Sequence, residues 1–255
     1  MRRVLARLVR GARRIGGWLR RARPLTLIAA VLVVAVAATA IYRSTRTAAS
    51  PSTVDDTVRV GVHDGDSVPA YTDQSRGELA ALTGSTPVYA LVSLTGYVDP
   101  AGVARLTAGV DPVFALARDP IPDRQTELVR LATTHPPDDL LAAMRALASR
   151  KDTDARGSTN QAAAQSDPRL RALEESDAEL ERAESQDYRS GCTCVYALVV
   201  RAAPAALRVL AGRGGVRIVD PAPEVTDAVH AVFVAPLPAQ VDLVVPPADT
   251  GVPPS

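Results

Sequence analysis

The spacing of apolar and polar positions changes character at residue 42. Leu25 to Tyr42 is a run of eighteen residues, almost all apolar and none charged. As a helix rising about 1.5 Å per residue it covers about 27 Å, near the roughly 30 Å of a bilayer's hydrocarbon layer. The run predicts one transmembrane helix over 25–42. Beyond it the periods shorten. Thr57–Val62 places Val58, Val60 and Val62 on one side of an alternating segment, which predicts a strand. His63-Asp64-Gly65-Asp66-Ser67 predicts a turn. Ser75 and Glu78, spaced as a capping box ahead of Leu79 and Leu82, predict a short helix over about residues 73–82.

An internal repeat organises the remainder of the chain. Val88-Tyr89-Ala90-Leu91-Val92 recurs as Val195-Tyr196-Ala197-Leu198-Val199, an offset of 107 residues. Each copy precedes a helical pattern with proline in its first turn (Pro100, Pro204) and glycine at its close (Gly109, Gly212), then a second apolar run. Each copy therefore predicts strand–helix–strand. Two such units predict an α+β fold class: a transmembrane helix followed by a ferredoxin-like duplicated βαβ ectodomain, the units packing their sheets side by side. The organisation expected is a basic tail 1–24, the span 25–42, a linker 43–56, a first βαβ unit 57–122, a helical insertion 123–190, a second βαβ unit 191–245 with an extra strand, and a disordered Pro-rich tail 246–255. Within the insertion, Leu128, Leu131, Leu140, Leu141, Met144 and Leu147 predict two helices broken at His135-Pro136-Pro137. The polar stretch 151–165 predicts a mobile loop, and 168–187 a helix with Leu170, Leu173 and Leu180 on its apolar stripe.

Charge sets the expected topology. Residues 1–24 carry nine arginines and no acid, which predicts a cytoplasmic N-terminus and an extracytoplasmic C-terminal domain at the cell membrane. A cleaved secretion signal ending near Ala38-Thr39-Ala40 is the alternative reading of the same run. The expected partners are membrane lipid, through the 25–42 helix and the basic tail, and an envelope protein or a second copy of the chain. All 28 acidic residues lie beyond residue 42, against 20 basic ones, a balance of −8 that argues against nucleic acid as a partner. One lysine beside 28 arginines resembles the usage of actinomycete proteins.

Candidate chemistry is sparse. Cys192 and Cys194 are the only cysteines and lie on the expected oxidising side. In an extended strand their Cα atoms stand about 6.6 Å apart, so a candidate disulfide needs a bend, which Gly191 permits. A local disulfide, links to another chain and a redox-active pair all remain open. His63, His135 and His230 are scattered, and Asp138-Asp139 and Glu174-Glu175 read as solvated helix surface. No zinc spacing, P-loop, nucleophile elbow or dinucleotide fingerprint occurs. No catalytic residue, metal ligand or cofactor is expected, and the chain reads as a non-enzymatic binding or structural protein. The second unit, from Cys194 to Gly215-Val216-Arg217-Ile218-Val219-Asp220-Pro221, resembles the βαβ half of subtilisin-propeptide and I9-type inhibitor domains. That resemblance implies a fold style over about 28 residues, with a protease-inhibitor module as an alternative function.

Overall fold

The chain divides into two units, residues 1–56 and 57–255. The computed structural model describes residues 58–249, all in the second unit. The expected basic tail, membrane span and linker lie outside the described residues, as do residues 250–255.

The chain runs β1 (Arg59–Gly61), α1 (Val68–Ala81), β2 (Val88–Val98), α2 (Pro100–Leu106), β3 (Asp111–Ala117), β4 (Val129–Ala132), α3 (Asp138–Ala164), α4 (Pro168–Ser190), β5 (Val195–Ala202), α5 (Pro204–Ala211), β6 (Val216–Ala222) and β7 (Val232–Val234). Five strands form one sheet in the order β4-β3-β5-β2-β6, every neighbouring pair antiparallel. β1 and β7 form a separate parallel pair.

Two corrections concern architecture. The expected transmembrane helix finds no support, because among the described residues no helix is long and apolar enough to cross a membrane. The two longest, α3 and α4, carry charged residues throughout, which hydrocarbon does not accept. Nor do the repeats pack as two sheets side by side, as expected of the duplicated ferredoxin-like ectodomain. Their strands alternate within one sheet: β5 of the second unit lies between β2 and β3 of the first, and β2 lies between β5 and β6. Each crossover therefore skips one strand. β3, β5 and β2 each lie between two neighbours, and separate cores cover the two faces of β2 and β5. That is why the duplicated pentapeptide is apolar at successive positions rather than alternating.

The two pentapeptides are not used alike. The register shifts at β5, where Ala197 pairs with Leu116 and Val195 with Ala117. After that irregularity, Leu198 packs in the larger core with α2, α3 and α5. Its sequence counterpart Leu91 packs in the opposite core, beneath Val60 and Phe233. That second core is closed by β1, β7 and the segment 225–237, with the Phe114 and Phe233 rings edge to face at 5.6 Å.

Four local expectations also change. Helix α1 starts at Val68 rather than near residue 73: Ser67, not Ser75, is its N-cap, with its Oγ accepting from the Ala70 N–H. The first expected insertion helix is instead the strand β4, where Val129 and Leu131 point inward and Arg130 and Ala132 outward. The expected mobile loop 151–165 is the second half of the 27-residue helix α3. Its buried stripe continues from Leu147 through Lys151, Ala155, Ser158 and Ala162, at helical spacing against α4. On α4 the expected apolar stripe is displaced: Leu170 and Leu173 are exposed, while Ala178, Glu184, Ser185 and Tyr188 face inward.

Candidate functional site

A cleft of about 730 Å³ opens between α1, β1 and the end of β6. α1 supplies Tyr71, Gln74 and Glu78, which recur at three- and four-residue spacing on one helix face. β6 supplies Asp220, and the turn after it Glu224. β1 and the following turn supply Arg59, His63 and Asp66.

Asp220 lies at the floor, 6% exposed, and its Oδ2 accepts a hydrogen bond from the Tyr71 hydroxyl at 2.7 Å. Burial pushes its carboxyl up to about 6, against the Tyr71 bond, which favours the anion; nearby Glu78 and Glu224 raise it further, and Glu78 shares a hydrogen bond with it. Burial and the neighbouring Asp220 charge likewise drive the Tyr71 phenol upward, so it remains a donor at any physiological pH. Gln74 Nε2 donates to Glu78 Oε1 at 2.9 Å and orients that second carboxyl. His63 and Asp66 close on each other, the Asp66 Oδ2 accepting the His63 backbone N–H at 2.7 Å. Apart from Asp66, which pairs with His63, three carboxyl groups, Asp220, Glu78 and Glu224, thus line the cleft against one arginine, Arg59.

The residues singled out from sequence lie elsewhere. Cys192 and Cys194 form a disulfide with Cα atoms 5.3 Å apart, within the usual range. The bend follows Gly191, which caps α4 in the left-handed conformation at φ 78°. Backbone bonds from Cys192 N–H to the Asp187 carbonyl and from Arg118 N–H to the Cys194 carbonyl hold the bridge on both sides. His135 is exposed near the start of α3, where Asp139 accepts the backbone N–H groups of Thr134 and His135. His230 is exposed and pairs with Asp227 at 2.7 Å. Among the described residues no three His, Cys, Asp or Glu side chains converge as a metal site.

A buried polar cluster was not visible in the sequence. It joins the segment after β3 to the α3–α4 hairpin through Arg118, Asp119, Arg124, Lys151, Glu184 and Tyr188. Burial and the adjoining Asp187 carboxyl push Asp119 up to about 7. Burial opposes the charge on Lys151, yet hydrogen bonds to Glu184 and Glu127 hold its ammonium above the ordinary value. The one available signal was Lys151 itself, which falls on the apolar stripe of a helical pattern when α3 is continued past Leu147.

Compared with known proteins, the chain matches no family model, no curated protein and no solved structure, which leaves the chemistry of the cleft as the guide to function.

Proposed function

We propose that this chain is a binding protein whose α1–β6 cleft receives a cationic group, the ammonium or guanidinium of a partner's basic side chain. The observation that carries it is the Tyr71–Asp220 pair: a nearly buried carboxyl, held from one side by a phenol and crowded by Glu78. Left alone, Asp220 retains a proton up to about pH 6. A cation entering the cleft takes the place of that proton and removes the repulsion among the three carboxylates. Described residues 58–249 hold 26 acidic against 18 basic residues, a field that attracts basic partners and repels nucleic acid. The Cys192–Cys194 bridge supports an oxidising setting, since cytosolic thiols are kept reduced.

The test uses the full chain and two short peptides, one carrying arginine and the other its neutral isostere citrulline. The arginine peptide is expected to shift amide resonances of α1 and β6, with affinity rising from pH 5 to 7.5 as Asp220 ionises. Asp220→Asn is expected to weaken it about tenfold, the loss of one charge-assisted hydrogen bond. Equal binding of the citrulline peptide, or none of either peptide across that pH range, overturns the proposal.

A further inference from the structure

We infer a second, chemically opposite site: the cleft of about 490 Å³ between the end of β2, Arg118 and segment 237–248 takes a monocarboxylate with an apolar tail, its carboxylate on the Arg118 guanidinium. It is independent of the cation site in the α1–β6 cleft.

The carrying observation is a buried guanidinium that, among the described residues, no carboxylate contacts as a direct ion pair. Arg118 is 7% exposed and lines the cleft. Its Nη2 donates to the Arg124 carbonyl at 2.5 Å, its Nη1 reaches the Tyr97 hydroxyl only at 3.4 Å, and its Nε finds no acceptor. A guanidinium carries five donors, so most of this one is unspent. Among the described residues no carboxylate forms an ion pair with Arg118, whereas Lys151 has two acids and Arg124 has Asp249. Asp119, next in the chain, is pushed up to about 7 by burial and by the Asp187 carboxyl that shares a hydrogen bond with it, although it feels the Arg118 charge, which favours its anion. Burying a charge without a partner is costly, and a ligand carboxylate that pairs with it recovers that cost.

A second arginine strengthens the field. Arg217 grips the loop that forms the cleft wall, donating to the Leu237 and Gln240 carbonyls at 3.5 and 2.8 Å. No carboxylate pairs with it among the described residues, and burial lowers its pKa. Arg118 is the one cation lining the cleft, Arg217 standing behind its wall, and the one acid lining it, Asp242, is exposed.

The remaining wall is apolar. Val241, Leu243 and Val245 project outward, each more than half exposed, while Val244 between them is buried. Apolar side chains on both faces of a short segment leave one face to be covered by something else. A buried cation at one end and exposed aliphatic side chains along the wall complement an amphiphile with a single negative charge. A phosphate or a dicarboxylate would leave charge against those aliphatic walls.

The experiment titrates the full chain calorimetrically with decanoate, decan-1-ol and decylamine, each kept below its aggregation threshold. Decanoate is expected to bind at one site at least tenfold tighter than decanol, more weakly as salt is added, with decylamine not binding. Arg118→Gln is expected to reduce decanoate to the level of decanol. Because Arg118 is buried, the exposed-wall variant Leu243→Glu serves as the second test: it should repel decanoate tenfold or more with an unchanged circular dichroism spectrum. Decanol binding as tightly as decanoate, or no saturable decanoate binding at about 1 mM, overturns the inference. So does a peptide with a free apolar C-terminus binding where decanoate does not.

Discussion

Lys151, the only lysine in the chain, donates to Glu184 across 2.7 Å inside the α3–α4 hairpin, with both side chains almost wholly removed from solvent. Glu127 reaches the same ammonium at 3.1 Å and ties the hairpin to the segment that leads into β4. Breaking a buried pair strands the remaining charge, which typically costs about 3–5 kcal/mol. Lys151→Met alone and Glu184→Leu alone are each expected to lose stability on that order in urea unfolding. The double variant is expected to recover most of it, because two apolar side chains of similar volume carry no stranded charge. Additive losses in the double-mutant cycle would show that the pair is not coupled.

This pair also shows what was legible in the sequence and what was not. Strand–helix–strand units built on Val88–Val92 and Val195–Val199 could be read because apolar runs, first-turn prolines and closing glycines act locally. The strand order could not, since pairing β2 with β5 is a relation between positions over a hundred residues apart. Residues 151–165 resemble a loop in composition, yet alanine, serine and one compensated lysine suffice for a helix interface when the partner helix also offers small residues such as Ala178 and Ser185. Asp220 sits in a strand otherwise read as a simple βαβ ending. Nothing near it in sequence announces Tyr71, which meets it from 149 positions away.

Asp220 should make the protein more stable in mild acid than at neutral pH. Its folded-state carboxyl is raised to about 6, above the ordinary 3.8, so between those values the folded protein binds more protons than the unfolded chain. Stability from this group is fully present below about pH 3.8 and lost as pH rises through about 6. Asp119, raised to about 7, acts in the same direction over a window that extends higher. Asp220→Asn is expected to leave stability nearly unchanged at pH 4 and to raise it by on the order of 2 kcal/mol at pH 7.5. A variant less stable than wild type at both pH values would mean that the carboxylate is satisfied rather than penalised.

The disulfide should act as a small local staple. Cys192 and Cys194 are separated by one residue, so the loop they close is near the minimum. Chain-entropy arguments assign so short a loop about 1.5 kcal/mol, well below the contribution of a long one. Reduction, followed by mass spectrometry to confirm two free thiols, is therefore expected to lower Tm by only a few degrees and to leave the far-ultraviolet dichroism intact. The flanking bonds from Arg118 and to Asp187 keep the segment in place without the bridge. Global unfolding on reduction would assign the bridge a role that its geometry does not suggest.

Gly61 and Gly65 separate two consequences of one conformational rule. Both have positive φ, 108° and 87°, where a side chain is strained. At Gly65 a Cβ would meet nothing within 4 Å, so Gly65→Ala bears only the backbone penalty, about 1 kcal/mol. At Gly61 a Cβ would lie 1.9 Å from the Val234 carbonyl oxygen, the acceptor for the Val62 N–H. The clash is with backbone, so it is relieved only by separating β1 from β7. Val60 and Phe233 on those strands roof one core, while Arg59, Val60 and Gly61 line the α1–β6 cleft. Gly61→Ala is accordingly expected to cost more than about 3 kcal/mol and to weaken the arginine peptide as well, whereas Gly65→Ala should leave that binding within twofold. Equal losses from the two substitutions would mean that β1 and β7 part easily, and that the cleft does not depend on their pairing.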